Sequence, residues 1–238
     1  MDETLDSTPV SYGLEGSVAV IDIDDGKANA LGFDHLDGLG RALDRAEQES
    51  AAVVIAGRPG KFSAGFDLSV MTSGPEGARD LLGRGAELGL RLYEFPQPVV
   101  LAVTGHALAM GGILLCCADV RIGAAGPFKL GLNEVAIGMP VPAFAVELCR
   151  DRLSKRAFTA AIQLAHVHDP DEALEAGFLD EVVEADRVRD RAVAVAAELA
   201  GRLHRGPFRA TRRTVRSGLA ARLRQSLAED LAAFDVTT

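Results

Sequence analysis

The stretch VVLAVTGHALAMGG, residues 99–112, joins a wholly apolar run to a glycine, a group of small residues and the start of an apolar helix. Five consecutive apolar residues, 99–103, are typical of a strand that a sheet buries on both faces. The run 52–56 has the same character, and a Gly/Pro loop over 57–65 and a helix opened by Asp67 follow it. The recurrence of strand, glycine turn and helix predicts a repeating β/α architecture.

The 20 residues from Val99 to Ala118 contain no Asp, Glu, Lys or Arg, and this is the length of a membrane span. Gly105, Gly111 and Gly112 interrupt the stretch. A buried strand, a turn and a helix running towards Cys117 therefore fit it better. The N-terminus is acidic and lacks the apolar region of a secretory signal. We expect no membrane insertion and a cytoplasmic location.

The composition is that of a globular protein. The 238 residues are 48% hydrophobic and 25% charged, which excludes disorder as the overall state. The net charge of −9 argues against nucleic-acid binding, because dedicated nucleic-acid binders are usually basic. The three cysteines cannot form a fully paired disulfide framework. We interpret the adjacent Cys116 and Cys117 as reduced core residues of a helix and not as catalytic thiols.

Local patterns mark further elements outside the two apolar runs. Residues 17–23 have the pattern of a strand, and an amphipathic helix with Asp34 at its cap or first turn follows. Asp169 precedes a helix with Pro in its first turn, and Gly177 ends that helix before a strand-like run over 178–183.

The C-terminal part of the chain has a helical pattern. It extends from Ala185 onwards, and Pro207 opens the last long segment. No low-complexity linker separates this part from the rest. We therefore predict one core domain, residues 1–195, and a C-terminal helical extension, residues 196–238.

Two glycine-containing turns are candidates for presenting free backbone amides. FSAGFDL, residues 62–68, and GHALAMGG, residues 105–112, each lead from a strand into a helix. The first amides of a helix have no internal partner, so the N–H of Phe66 or Asp67 and those around Met110 can point at one acceptor. Two such donors form an oxyanion hole. Each turn also fits an ordinary structural role, as a capped helix start or as a site of close helix packing.

A lone carboxylate, Glu134, lies in GLNEVAIG, residues 131–138. It is flanked by Leu132 and Val135, and no other charged residue occurs over 130–145. An apolar setting raises the pKa of a carboxylate and suits it to general-base catalysis. A surface position on a loop is the alternative, and it is the commoner position for a glutamate.

These motifs and their order resemble those of the crotonase (enoyl-CoA hydratase/isomerase) superfamily over roughly residues 14–200. The segments that carry the resemblance are Lys27-Ala-Asn-Ala-Leu31, FSAGFDL, GHALAMGG with Ala118-Asp119, GLNEVAIG, and Glu172-Ala-Leu-Glu-Ala-Gly177 with Val182-Val183. The resemblance implies an α/β fold with a spiral core of repeated ββα units and a C-terminal helical trimerisation region. It also implies self-association as a homotrimer or a dimer of trimers.

The resemblance further implies a site for an acyl-CoA substrate. The thioester oxygen would lie between the amides of Phe66 and Met110, with Glu134 as the catalytic acid and base. The residues implied to bind the CoA thioester are Lys27, Ala28 and Ala30, which match the segment that holds the nucleotide end of CoA, and Ala64, Gly65, Asp67, Leu68, Gly111 and Asn133. Asp67 is expected to cap its helix. No metal is implied, and no cofactor is implied besides the CoA that is part of the substrate.

The sequence departs from the hydratase pattern at one decisive position. Hydratases of the family carry two glutamates; Glu134 matches the second, whereas Ile113 stands at the place of the first. Met110 alters the usual glycine-rich run, and we expect its side chain to narrow the pocket. A single carboxylate suffices to move a double bond, because it can remove a proton from C2 and return one at C4.

We therefore favour a Δ3,Δ2-enoyl-CoA isomerase, a branch that GLNEVAIG followed by Val141-Pro142 also resembles. One alternative is an enoyl-CoA hydratase whose second acid comes from elsewhere, for instance Glu76, Asp80 or Glu87. Another is a non-catalytic acyl-CoA-binding protein, against which the apolar setting of Glu134 argues.

Eight arginines and no acidic residue occur between Arg202 and Arg224. A solvated helix face, or one that pairs with an acidic surface, explains such a segment. Arginine also binds phosphate well, and CoA carries a 3′-phosphate and a pyrophosphate. From the resemblance we predict that Arg205, Arg209 or Arg212 lies near the nucleotide end of CoA, across or beside a subunit boundary.

Overall fold

Pairs of strands followed by a helix recur along the chain, and successive pairs add their strands to two sheets. The computed structural model describes residues 9–233. In chain order the strands are β1 (Val10–Glu15), β2 (Val18–Ile23), β3 (Ala30–Leu31), β4 (Ala52–Gly57), β5 (Gly60–Ser63), β6 (Gly65–Phe66), β7 (Val99–Val103), β8 (Gly105–Leu108), β9 (Val120–Ala124), β10 (Leu130–Gly131) and β11 (Glu181–Val183).

Helices connect and cover these strands. In chain order they are α1 (Phe33–Glu49), α2 (Leu68–Met71), α3 (Pro75–Glu94), α4 (Met110–Leu115), α5 (Ala143–Arg152), α6 (Lys155–Ile162), α7 (Pro170–Ala176), α8 (Val188–Arg202) and α9 (Arg205–Ala233). Short 3₁₀ helices lie at Val135–Ile137 and Ala185–Arg187. Over residues 9–233, no helix is both long enough and apolar enough to cross a membrane.

The larger sheet has the strand order β1-β2-β4-β7-β9-β11. Its first pair is antiparallel and the remaining pairs are parallel. A second sheet has the order β10-β8-β5, and β3 pairs with β6. Each of the pairs β4–β5, β7–β8 and β9–β10 thus gives one strand to each main sheet. The predicted α/β fold of repeated ββα units is confirmed.

Two segments that the local composition predicted as turns are strands. The predicted Gly/Pro loop contains β5, and the predicted turn of small residues after Val103 is β8. The two strands pair in parallel, with Gly60 opposite Gly105. The predictions were wrong because each strand's partner lies far away in the sequence, where a local pattern does not reveal it.

The predicted helix starts agree with the structure to within two residues. Asp34 lies in the first turn of α1, whose apolar face is buried. Asp169 and Glu172 form a reciprocal capping box at the start of α7, and Gly177 follows its last residue. Of the strand-like run that follows, residues 178–183, only Glu181–Val183 forms a strand, β11. Finally, α9 begins two residues before Pro207. A proline is tolerated there because the N–H groups in the first turn of a helix have no hydrogen-bond acceptor within the helix.

The core occupies both faces of the larger sheet. Val53 and Ile55 of β4 pack in the cluster that includes α1 and α3, whereas Val54 and Ala56 pack in the cluster that includes α8. This two-sided burial is what a wholly apolar strand predicts. Residues 195 and 196 both lie within α8, so the predicted division of the chain there does not coincide with the end of a helix.

Arginines hold α9 against the rest of the chain, where it packs along α3. Arg212 is 7% exposed and donates to the carboxylate of Asp119 at 2.5 Å, and Arg216 pairs with the same carboxylate at 3.0 Å. This pairing buries the guanidinium of Arg212, and the prediction that at least one of Arg205, Arg209 or Arg212 lies beside CoA stays a prediction. Trimerisation through the extension stays a prediction, and residues 1–8 and 234–238 of the two predicted segments lie outside the described residues.

The cysteines are buried free thiols. Cys116 and Cys117 directly follow the last residue of α4, and Cys149 lies in α5. Burial raises the pKa of Cys117 well above its ordinary value. An activated thiol needs the opposite shift. The interpretation of Cys116 and Cys117 as core residues is therefore confirmed.

Candidate active site

A cavity of about 130 Å³ lies where the two glycine-containing turns meet the loop that carries Glu134. Most of its wall is apolar, and among the described residues Glu134 supplies its only ionisable side chain. The wall is formed by Ala64, Phe66, Leu68, Met71, Leu82, Ala109, Ile113, Asn133, Glu134, Ile137, Met139, Pro140 and Pro142. An apolar enclosure with one polar group is the usual form of a small-molecule site.

Glu134 is held at this wall as a buried carboxylate. Only 6% of the residue is exposed, and within the described residues its Oε2 has no hydrogen-bond partner. Burial raises the pKa of Glu134 from 4.5 to about 7, against a smaller lowering by the backbone amides of Glu134 and Asn133. Its carbonyl oxygen accepts from the N–H groups of Ile137 and Met139, which fixes the backbone. The alternative of a surface glutamate is wrong.

Strand β6 brings Phe66 to the cavity. The N–H of Asp67 donates to the carbonyl oxygen of Leu31 on β3. Because successive N–H groups of an extended strand point to opposite sides, the N–H of Phe66 faces away from β3. Gly65 has a φ of +98°, and a Cβ there would lie 2.7 Å from the Cβ of Ala109. Glycine is therefore required for β6 to lie against the second turn.

The second turn ends in a strained residue. Ala109 has a φ of +51° and a ψ of −123°, a conformation that residues with a Cβ rarely adopt. The next residue, Met110, begins α4, so its N–H has no acceptor within the helix. A Cβ on Gly65 would lie 3.4 Å from the nitrogen of Met110, which shows how closely the two turns approach.

The side chain of Met110 is fully buried and does not form part of the cavity wall. Its Cε lies 3.8 Å from the position that a Cβ on Gly89 of α3 would occupy. The expectation that Met110 narrows the pocket is therefore wrong, because its side chain packs into the core towards α3.

Ile113 lies on the cavity wall, at the position that the resemblance gave to the first of the two hydratase glutamates. None of the three alternative acids lines the cavity in the described part of the chain: Glu76, Asp80 and Glu87 are exposed residues of α3. Asp80 and Glu87 instead line a groove of about 750 Å³ between α1, α3 and α9. Glu87 pairs there with Arg224 at 3.3 Å. The suggestion that one of them supplies the missing acid is wrong.

The segment implied to hold the nucleotide end of CoA lies beside this cavity. Lys27, Ala28 and Ala30 line a second, more open cavity of about 600 Å³. The N–H of Ala64, on the wall of the first cavity, donates to the carbonyl oxygen of Ala28. A backbone hydrogen bond therefore links a residue of one cavity wall to a residue of the other.

Four further residues were implied to bind substrate. Leu68 and Asn133 lie on the cavity wall. Asp67 caps α2 by accepting from the N–H and the hydroxyl of Ser69, as expected. Gly111 is buried behind the wall against Ser63, so the structure does not bring it to the cavity.

Arg205 lies away from this segment within the chain. It donates to the carbonyl oxygen of Glu47, near the C-terminal end of α1. The Lys27 segment adjoins the N-terminal end of α1, where His35 approaches Asp25 at 4.0 Å. Since α1 rises 1.5 Å per residue, roughly 20 Å separates the two ends. The prediction that these arginines reach the CoA of a neighbouring subunit stays a prediction.

Two residues that shape the site were missed. Asn29 is buried with a φ of +51°, and its Nδ2 donates to the carbonyl oxygen of Ile23 at 2.8 Å, which fixes the Lys27 segment. The Asp-Asp-Gly turn just before it is the signal that pointed to such side-chain hydrogen bonding. Gly85 of α3 contacts the ring of Phe66. The sequence signal for this contact was a glycine inside a helical pattern.

A family profile described as enoyl-CoA hydratase/isomerase matches residues 13–238. The human mitochondrial enoyl-CoA delta isomerase 1 is 31% identical over 186 residues, which are 76% of this chain and 62% of that protein. This chain thus spans less than two thirds of the length of the human relative.

Two bacterial proteins are similar over more of their length. A probable enoyl-CoA hydratase of Bacillus subtilis is 34% identical over 80% of this chain and 76% of its own. A solved structure of an enoyl-CoA isomerase from Mycobacterium tuberculosis superposes with a TM-score of 0.91 at 42% identity, covering 96% of this chain and all of that one. The chain therefore belongs to the enoyl-CoA hydratase/isomerase family.

Proposed function

We propose that this protein is a Δ3,Δ2-enoyl-CoA isomerase in which Glu134 is the one acid/base. The observation that carries the proposal is the single carboxylate among the described residues that line the cavity, with its pKa raised by burial to about 7. A pKa near the working pH suits a group that must both take and give a proton. Ile113, at the position of the first hydratase glutamate, has no proton to transfer.

In the proposed reaction the ionised Glu134 removes a proton from C2 of a 3-enoyl-CoA. The electrons of the C2–H bond move into the C1–C2 bond, and the thioester carbonyl becomes a dienolate oxyanion. The electrons then return from the oxyanion, the double bond shifts to C2–C3, and C4 takes the proton back from Glu134. No water or redox partner is consumed, so the product is an isomer of the substrate.

The amides of Phe66 and Met110 are the proposed donors to that oxyanion. The N–H of Phe66 faces away from β3, the N–H of Met110 is free of the helix, and the two turns are in contact through Gly65. Donors fixed before the reaction stabilise the developing charge without reorganisation. The strained backbone of Ala109 fixes the direction of one donor.

The same proposal assigns binding sites to the nucleotide end and the acyl chain of the substrate. Lys27, Ala28 and Ala30 would hold the nucleotide end of CoA in the open cavity, while the acyl chain would occupy the apolar one. The relatives' names include both isomerases and hydratases, so the choice between them rests on the single carboxylate. We also propose self-association as a trimer, which native mass spectrometry tests.

The decisive assay follows 3-hexenoyl-CoA and 2-hexenoyl-CoA side by side by the absorbance of the conjugated thioester. An isomerase makes absorbance appear from the 3-enoyl ester and leaves the 2-enoyl ester in water almost unchanged. Loss of absorbance from the 2-enoyl ester at ordinary enzymatic rates would identify a hydratase instead. No change with either ester, in a protein that binds both, would identify a binding protein.

A further inference from the structure

The ring of Phe66 fills a niche on α3 that only a glycine leaves open. A Cβ on Gly85 would lie 2.3 Å from Cζ and 2.4 Å from Cε1 of that ring. Carbon atoms in contact are about 3.5–4.0 Å apart, so a methyl group at residue 85 requires the ring to move by more than about 1 Å. Gly85 is buried within α3, where glycine is intrinsically less favourable than alanine.

The ring that contacts this niche belongs to a residue that lines the cavity. Phe66 contacts α3 through its ring tip and also forms part of the cavity wall. Its backbone is held by the pairing of β6 with β3 and by the contact of Gly65 with Ala109. A methyl group at residue 85 would therefore displace the ring rather than the backbone, and any displacement of the ring changes the wall of the cavity that Phe66 lines.

We infer that Gly85 maintains the depth of the acyl cavity by keeping the Phe66 ring out of it, and so allows the site to accept the longer acyl chains. The inference rests on the proposed function, since it takes the apolar cavity as the acyl site. Leu82, one turn earlier on α3, lies on the same wall and continues the acyl-facing surface of the helix.

The test compares Gly85→Ala with Gly89→Ala. Gly89 lies one turn further along the same face of α3, but a Cβ there would meet its nearest atom, the Sγ of Cys117, at an ordinary 3.4 Å. Both variants gain the same helix propensity, so only the effect on the ring differs. Calorimetric titration with butyryl-, hexanoyl-, octanoyl- and decanoyl-CoA measures affinity for saturated esters that do not react.

We expect Gly85→Ala to bind butyryl-CoA like the parent and to lose about tenfold or more in affinity for the longest ester that the parent binds. Gly89→Ala should follow the parent at every length. Phe66→Leu should extend the accepted length, and combined with Gly85→Ala it should restore the longer esters, because leucine lacks the clashing ring atoms. This rescue distinguishes a shaped cavity from general destabilisation.

Equal affinities of Gly85→Ala and the parent at every length, or an equal loss at every length, would overturn the inference. So would a Phe66→Leu variant with no gain for longer esters, even where Gly85→Ala does not fold. A parent that binds no acyl-CoA would contradict the proposed function and this inference together. If the affinities depend on chain length as expected but the parent does not isomerise 3-enoyl esters, the proposed function alone would be contradicted.

Discussion

Ile113 and Glu134 line the same cavity, and both are almost fully buried, with 2% and 6% of their surfaces exposed. At the position where the resemblance to hydratases implies another acid, the cavity wall therefore carries an apolar side chain. We predict that Ile113→Glu gains hydration of crotonyl-CoA, because a second carboxyl then faces the double bond. Spectrophotometric assay of crotonyl-CoA in water measures the gain.

The matched control is Ile113→Gln, which adds a similar volume without a transferable proton. A buried charge in α4 is costly, so thermal melts of both variants establish that they fold. A parent that already hydrates crotonyl-CoA at ordinary rates would contradict the one-carboxylate account. A folded Ile113→Glu variant with no more hydration than Ile113→Gln would do the same.

The pH dependence of turnover follows from the pKa of Glu134, about 7. Only the ionised carboxylate can remove the C2 proton, so kcat/KM for 3-hexenoyl-CoA should rise with pH and reach half its plateau near pH 7. Rates measured from about pH 5 to 9 at constant ionic strength give the profile. A rate that is flat across this range would show that Glu134 is not the base.

The same pKa predicts a pH-dependent stability difference. Because the pKa of Glu134 rises from 4.5 to about 7 on folding, the folded state keeps a proton that the unfolded state releases between these values. The stability from that proton is present at low pH and is lost as pH rises through about 7. Gln carries no charge at any pH, so Glu134→Gln should be more stable than the parent at pH 8, by up to about 3 kcal/mol.

Urea denaturation of the parent and Glu134→Gln at about pH 5 and pH 8 measures this difference. Near pH 5 the two proteins should differ by less than about 1 kcal/mol, because Glu134 is neutral in the folded state and only the unfolded state has begun to release its proton. A difference that is the same at both pH values would show that the carboxyl is not buried as described.

Arg212 is predicted to stabilise the fold through its contact with Asp119. Arg212→Met leaves Asp119 with Arg216 and the N–H of Val99 as partners, and should lower the free energy of unfolding by at least about 2 kcal/mol. Arg213→Met, an exposed neighbour on α9, should change it by less than about 0.5 kcal/mol. Urea denaturation compares them, and equal effects would mean that the buried pair has no special role.

Local signals predicted the parts of the structure whose partners are near in sequence. The capping of α7 by Asp169 and the burial of β4 follow from a few adjacent residues. The uncharged stretch around Glu134 likewise indicated its burial, because Ile137, Met139 and Pro140 of that stretch form part of the cavity wall. These features could be predicted from the sequence before any tertiary contact was known.

The features that the sequence did not reveal depend on contacts between residues far apart in the chain. Arg212 resembled a phosphate ligand within a basic segment, but its partner Asp119 lies 93 residues earlier. Phe66 meets Gly85 across the space between β6 and α3, and no periodicity in α3 predicts that contact. Met110 was expected in the pocket because only its sequence neighbours were known.

The replacement Glu134→Gln tests the account most directly, because it removes the proposed acid/base and keeps nearly the same volume. Turnover of 3-hexenoyl-CoA should fall by about 10²–10⁴, while calorimetric affinity for hexanoyl-CoA stays near that of the parent. That result would assign Glu134 to the chemical step. A folded variant whose turnover lies within a few-fold of the parent would contradict the central claim that this one carboxylate moves the proton.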